Sequence, residues 1–274
     1  MRLRVVTLNI WNDEGDPRRI ELINRELRRL DPDLVSLQEV LRTADKDQLA
    51  ALLDGTGLHG THQGEVVTLE PRFADRFGGN AVASRWPHRI VDAVDLGGAD
   101  VPDVPWRALA ALVPLPDLGD MLLIVPTISY QLEAEAARER QVMVLADLDA
   151  RLRTEVPTII AGDFNATPDS AGIRFLTGLQ SIDGRSTYYH DAWAIAGDGP
   201  GHTWTVDNPN AHKDIGYLVG QSGHRRRIDY IFVGAGHAHP KVRARIHAAA
   251  VAFNEPVDGV WPSDHFGLVA DLVF

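Results

Sequence analysis

The sequence contains no cysteine. That excludes disulfides, thiolate metal sites and cysteine nucleophiles, and it suits a cytoplasmic protein. No apolar stretch nears the roughly 20 residues that a membrane-spanning helix needs. The opening Met-Arg-Leu-Arg-Val-Val-Thr-Leu has no long apolar run and no small-residue cleavage site, so it reads as a strand and not as a signal peptide. Internal repeats, low-complexity tracts and linker-like stretches are also missing. Positive charge is in short supply: 27 Lys and Arg face 38 Asp and Glu, for a formal net charge of −11. Duplex-binding proteins draw most of their affinity from a basic face. The acidic balance therefore argues against a dedicated DNA binder, although a local basic groove is still allowed. It also fits a site that concentrates divalent cations.

What is present is ordinary globular material. The chain has 274 residues, 45% hydrophobic and 24% charged. Its length invites a two-domain reading, but nothing divides it, so residues 1–274 are read as one domain. Arg4 to Ile10 reads as a strand. Asp16 and Pro17 look like a helix N-cap and first turn, with Ile20, Ile23, Leu27 and Leu30 at helical spacing and Asp31-Pro32 as the stop. Leu34–Val40 returns to strand. A second helix fits Lys46 to Leu53. Strands follow around Val66–Leu69, Asn80–Ser84, Arg107–Val113 and Met121–Val125. Gln131 to Arg153 is the longest helical pattern, with Leu132, Ala136, Met143 and Leu148 sharing part of a face. Pro157 to Ala161 is a short buried strand, and a short helix is placed near Ser170–Gly178. Residues 181–226 are loop-rich. Three strands close the chain at Ile228–Val233, Val242–Val251 and His265–Val273. The middle of the chain has too few helices for a doubly wound parallel sheet. The pattern predicts an α/β (α+β) class with two packed sheets and helices outside.

Polar residues cluster at the strand ends, where rigid scaffolds place function. Asn9 ends the first strand and Glu39 the second. Asp163 and Asn165 follow a buried run. Asp229 opens a strand, and Asp264 and His265 precede the last one. Each alone has a plain structural reading, such as an Asx-turn for Gly-Asp-Phe-Asn. Together they offer an oxygen ligand set and a histidine with an aspartate partner. Hard oxygen ligands suit magnesium, and an Asp fixes the tautomer of a His.

The order Thr-Leu-Asn9, Leu-Gln-Glu39-Val, Gly-Asp163-Phe-Asn165-Ala-Thr-Pro, Arg-Ile-Asp229-Tyr and Ser-Asp264-His265-Phe-Gly resembles the endonuclease/exonuclease/phosphatase superfamily, the DNase I-like proteins, over essentially the whole chain. The resemblance implies a four-layer sandwich: two mainly antiparallel sheets face to face, flanked by helices, with the site at one end. It implies Glu39 as main magnesium ligand, with manganese the alternative ion, Asn9 beside it and Asp264 supporting. Asp163 would orient or deprotonate the attacking water and Asn165 would hold a phosphate oxygen or a metal-bound water. His265, steadied by Asp229, would contact the scissile phosphate.

One motif departs from that pattern. The family carries Asn-Thr-His-Leu at the end of a central strand, and this chain has Pro126-Thr127-Ile128-Ser129. Arg138 and Gln141 still follow on the next helix. Isoleucine offers no hydrogen bond to a phosphate, so Tyr130, Ser129 or another histidine would have to serve. Loss of one such donor costs about 2.7–4 kcal/mol of transition-state stabilisation. Substrate-facing positions are assigned to Asn80, Arg107, Tyr130, Trp204 and Asn208. The run Arg225-Arg226-Arg227 reads as a solvated strand entrance, and His212, His224, His237 and His239 as surface residues. The functional expectation is a magnesium-dependent phosphodiesterase or phosphatase acting on a small phosphorylated molecule, a nucleotide or a lipid head group. The alternatives are a DNA or RNA nuclease and a diverged relative with a non-hydrolytic or binding role.

Overall fold

A computed structural model describes residues 1–68, 78–97 and 106–274. The strands are β1 (Arg2–Asn9), β2 (Leu34–Val40), β3 (His59–His62), β4 (Gly79–Ser84), β5 (Arg89–Asp95), β6 (Arg107–Leu115), β7 (Gly119–Pro126), β8 (Ile159–Asp163), β9 (Tyr189–Asp191), β10 (Trp204–Thr205), β11 (Arg225–Arg226), β12 (Asp229–Gly234), β13 (Arg245–Ala252) and β14 (Gly267–Val273). The helices are α1 (Arg19–Leu30), α2 (Gln48–Leu53), α3 (Glu135–Leu152), α4 (Ala171–Leu176), α5 (Ala192–Ala196) and α6 (His212–Leu218).

Period-two alternation divides each strand between two cores. On β1, Leu3 and Val5 pack between the sheets while Val6 and Leu8 pack under α1 and α2. On β8 and β12, Ile159, Ala161, Ile231 and Val233 point between the sheets, and Ile160, Tyr230 and Phe232 point toward α3. Four layers result. One sheet has the order β13-β14-β1-β2-β4-β3 and the other β5-β6-β7-β8-β12-β9. Only β1 with β2 and β7 with β8 pair in parallel among these neighbours. The predicted sandwich of two mainly antiparallel sheets is the one observed.

Several elements differ from the expectation. Asp16 accepts from the Arg18 amide, and the first helix begins at Arg19, three residues beyond Asp16. Asp31 ends it with a left-handed backbone, φ 47°. Residues 66–68 are not strand, since a 3-10 turn at Gln63–Glu65 precedes them; Leu69 lies outside the described residues. β3 and β5 were not anticipated. In α3 the buried positions include Arg138, Gln141, Val142, Leu145 and Asp149, whereas Leu132 lies before the helix and is exposed. Polar side chains, among them the hydrogen-bonded Arg138 and Gln141, occupy that buried face, which hides its period from an apolar count. Among the described residues no helix is long and apolar enough to cross a membrane.

Candidate functional site

The alternation that builds the inter-sheet core also aims the polar residues at its end. Asn9 continues the face of Leu3 and Val5. Asp163 continues that of Ile159 and Ala161, and Asp229 that of Ile231 and Val233. The Asn9 amide joins the two sheets by donating to Asp163 on β8 at 3.1 Å, and within its own sheet it donates to Glu39 on β2 at 2.9 Å.

Glu39 breaks the rule. It shares parity with Val35 and Leu37, which face the helices. A register shift between Leu37 and Val40 in the pairing of β2 with β4, together with φ 57° at Glu39, turns its side chain to the inner end. Bulges of this kind re-aim side chains near functional sites. Asn12, which the sequence reading missed, donates to the other Glu39 oxygen at 3.2 Å. Asn9 Oδ1 accepts from the Trp11 amide at 2.9 Å, so in this arrangement Asn9 holds carboxylates in place and its oxygen is already bonded.

The Gly-Asp-Phe-Asn loop has a steric origin. A Cβ on Gly162 would lie 2.2 Å from the Pro126 carbonyl oxygen, so only glycine lets β7 and β8 approach. Phe164 packs edge-on against Tyr230 and Phe232, at 5.5 and 5.2 Å. Tyr230 OH donates to the Ala166 carbonyl at 2.8 Å. These contacts lock Asp163 opposite Asp229, its register partner. Asn165, with φ 46°, donates to Asp163 through its backbone at 2.8 Å and to the Ile128 carbonyl through its side chain at 3.1 Å.

His265 reaches this pair from the loop before β14. Its Nδ1 lies 3.0 Å from Asp229 and its Nε2 4.0 Å from Asp163. Ser263 fixes the loop: its hydroxyl donates to the Asn9 carbonyl at 2.7 Å and accepts from the His265 amide at 3.2 Å. Asn208 donates to the Ser263 and Asp264 carbonyls, both at 2.9 Å. Arg19, wholly buried, clamps the other side by donating to the carbonyls of Ile10, Trp11, Asn12, Glu14 and Pro262.

The electrostatics favour a cation. Burial, and then the neighbouring Asp229, push the Asp163 carboxyl from 3.8 to about 7. Burial, with Glu39 adding to it, does the same to Asp264, also to about 7. Glu39 is raised chiefly by burial. For His265 burial alone acts downward, yet Asp229, Asp264 and Asp163 hold it well above its ordinary value. Among the described residues, Asp229 Oδ1 is buried without a hydrogen-bond partner. Asp163, Asp229 and His265 bring ligand atoms within 4.8 Å of one another. Glu39 and Asp264, buried carboxyls that resist ionisation on one cavity wall, fit a divalent ion with a preference for oxygen.

A cavity of about 280 Å³ opens here, lined by Glu39, Asp163, Asn165, Asp264 and His265 and also by Trp204 and Tyr130. Three substrate assignments do not reach it. Asn80 spends its side chain on the Arg107 and Val125 carbonyls and on the Thr127 hydroxyl, tying β4 to β6 and β7. Arg107 turns away to Asp95 and the Ala93 carbonyl. Asn208 is fully buried and positions the Ser-Asp-His loop. Ile128 is also displaced from the expected place. Its side chain is wholly buried in the core beneath α3, so only its carbonyl faces the site. Ser129 is occupied by Gln141 and Arg138. The arginine run is not uniformly solvated: Arg226 lines the cavity, and Arg227 is buried 2.8 Å from Asp191. Of the supposed surface histidines, His239 is buried against Thr154 and Thr158. Trp11, Trp106, Lys213, Asp214 and Tyr217 also line the cavity and were missed, because lone aromatic and charged residues in loops carry no periodic signal.

Comparison with known proteins agrees with this architecture. The profile of the Endonuclease/Exonuclease/phosphatase family matches residues 6–265. The crystal structure of D. rerio TDP2 complexed with single strand DNA product is similar with TM-score 0.76 and 18% identity, over 100% of this chain and 99% of that one. An endonuclease/exonuclease/phosphatase from Bacteroides vulgatus gives 0.69 and 20%, over 100% and 99%. One from Beutenbergia cavernae gives 0.68 and 24%, over 99% and 71%. None of the curated proteins matches the chain. The likeness to these structures concerns the fold, and the family profile spans nearly every residue of the site just described. The chain belongs to the endonuclease/exonuclease/phosphatase family, whose members are generally metal-dependent phosphoesterases.

Proposed function

We propose that this protein is a magnesium-dependent phosphoester hydrolase acting on a small phosphorylated molecule, a nucleotide or a lipid head group. The observation that carries the reading is the convergence of Glu39, Asp163 and Asp264, all with raised carboxyl pKa values, on one cavity beside a His265–Asp229 pair. Glu39 and Asp264 would hold the ion, with Asn9 and Asn12 ordering Glu39. When bound, the ion supplies positive charge to the phosphoryl oxygens. Asp163, poised near neutral pH, accepts the proton of the attacking water. His265 stays protonated beside Asp229 and donates toward the developing negative charge. Asn165 presents its amide edge at the same wall.

The test is magnesium-dependent phosphate release from a broad substrate panel, abolished by Glu39→Ala and by His265→Ala. Tight metal binding with no turnover on any panel member would instead support a diverged binding role. A nuclease is the second reading, favoured by Arg226 and Lys213 on the cavity wall and by the single-strand DNA product bound to the D. rerio TDP2 relative. Cleavage of single-stranded oligonucleotides that weakens steeply with salt would select it.

A further inference from the structure

Three consecutive arginines end in three environments. Arg225 is exposed and forms a fork with Asp207, at 2.7 and 2.8 Å. Arg227 is buried, 2.8 Å from Asp191, with its guanidinium 4.6 Å from the Tyr230 ring centre. Arg226, between them, pairs with Trp204 in the short β10–β11 ribbon and faces the cavity that holds Asp163, Asn165 and His265.

Arg226 is half-buried, and its Nη2 donates to the Asn165 carbonyl at 3.0 Å. Among the described residues it has no carboxylate in ion-pair contact, unlike Arg225 and Arg227. Among the described residues its other side-chain N–H groups have no hydrogen-bond partner, they are not sealed from solvent, and the residue lines the cavity. Burial first, and the nearby Arg138 second, lower its pKa, but a guanidinium stays charged at neutral pH. A fixed planar fork of donors, partly desolvated and unpaired, matches a tetrahedral oxyanion. The segment 126–129 supplies no such donor, because Ile128 is in the core and Ser129 is occupied. Arg138 cannot serve either. It is buried and committed to Glu135 and to the carbonyls of Ser129, Gln131 and Leu132.

We propose that Arg226 is the residue that grips the substrate's phosphoryl group, donating to its non-bridging oxygens from the β10–β11 ribbon beside Asn165. The inference rests on the hydrolase reading for its substrate class. It adds a catalytic residue from a run whose sequence reads as a solvated strand entrance.

The experiment uses the full chain with magnesium. Binding of inorganic phosphate is measured by calorimetry, and turnover with bis(p-nitrophenyl) phosphate, for the wild type, Arg226→Gln and Arg226→Lys. Arg226→Gln is expected to weaken phosphate binding about 10- to 100-fold and to lower kcat/KM about 10²- to 10³-fold. Arg226→Lys keeps the charge but not the fork and should recover part of both, with the melting temperature close to wild type. It also carries the test if the glutamine variant fails to fold. Unchanged phosphate binding in a folded variant overturns the proposal. If the wild type turns substrate over and Arg226→Gln does so equally, this inference falls and the hydrolase reading stands. If phosphate binds through Arg226 but neither this ester nor any member of the substrate panel is turned over, the hydrolase reading falls and the phosphate contact stands. A wild type that binds no phosphate and hydrolyses neither the ester nor any panel member refutes both.

Discussion

Asp163 and Asp229 stand directly opposite each other on β8 and β12, and both point into the end of the inter-sheet core. Two carboxylates so placed repel, and His265 relieves the repulsion from 3.0 and 4.0 Å. The group is stable in one of two ways: it holds protons or it holds a cation.

That choice has a measurable pH signature. Asp163 and Asp264 rise from 3.8 unfolded to about 7 folded, and Glu39 and His265 are also raised. Each group binds its proton more tightly when folded. Each therefore contributes stability that is complete below its unfolded pKa and is lost as pH rises through the folded one. The metal-free protein is expected to lose thermal stability between about pH 4 and 7 and, through His265, further above that. Saturating magnesium at pH 8 should restore roughly 5–10 °C in a thermal melt. A melting temperature that rises across that pH range without metal would contradict the site's electrostatics.

Asp229→Asn leaves the shape of the site but removes the charge that holds His265 protonated and oriented. A fall in kcat of about 10²- to 10⁴-fold is expected. The His265 pKa, followed by nuclear magnetic resonance of its ring protons, should move down because burial then acts with less opposition. Wild-type kcat with an unmoved pKa would show that the pair is structural.

Arg19 acts from outside the cavity. Replacing it with methionine removes a donor from five carbonyls around residues 10–14 and Pro262, those of Ile10, Asn12 and Pro262 in buried hydrogen bonds. A loss of about 3–5 kcal/mol in denaturant unfolding is expected, by analogy with breaking a buried charged network. Magnesium affinity should weaken too, since Asn12 orders Glu39 from that loop. A variant with wild-type stability would mean that the loop holds its shape without the clamp.

Ile128→His is expected to harm the protein. The imidazole would enter the apolar cluster of Ile124, Ile160 and Phe164, at a cost of about 1–3 kcal/mol. No gain in phosphodiesterase activity should accompany the lower melting temperature. A clear gain would place side chain 128 at the phosphate and undo this account of the segment.

The sequence alone determined the two sheets and put Asn9, Asp163 and Asp229 at strand ends, and unbroken strand alternation then aims those three inward. It also determined the Gly-Asp-Phe-Asn and Ser-Asp-His loops, whose residue types are set by a close backbone approach at Gly162 and by hydrogen bonds made within one or two residues. Tertiary structure decided what alternation misstates. Glu39 reaches the site only because a bulge and a left-handed backbone reverse its face. Asn80 and Asn208 became braces, and Arg107 turned to Asp95, because their partners come from distant segments. Ile128 went to the core and Arg226 to the cavity for the same reason. Where a strand runs regular the local pattern fixes which way a residue points; at the β2 bulge the pairing itself turns Glu39, and long-range packing decides what each residue meets.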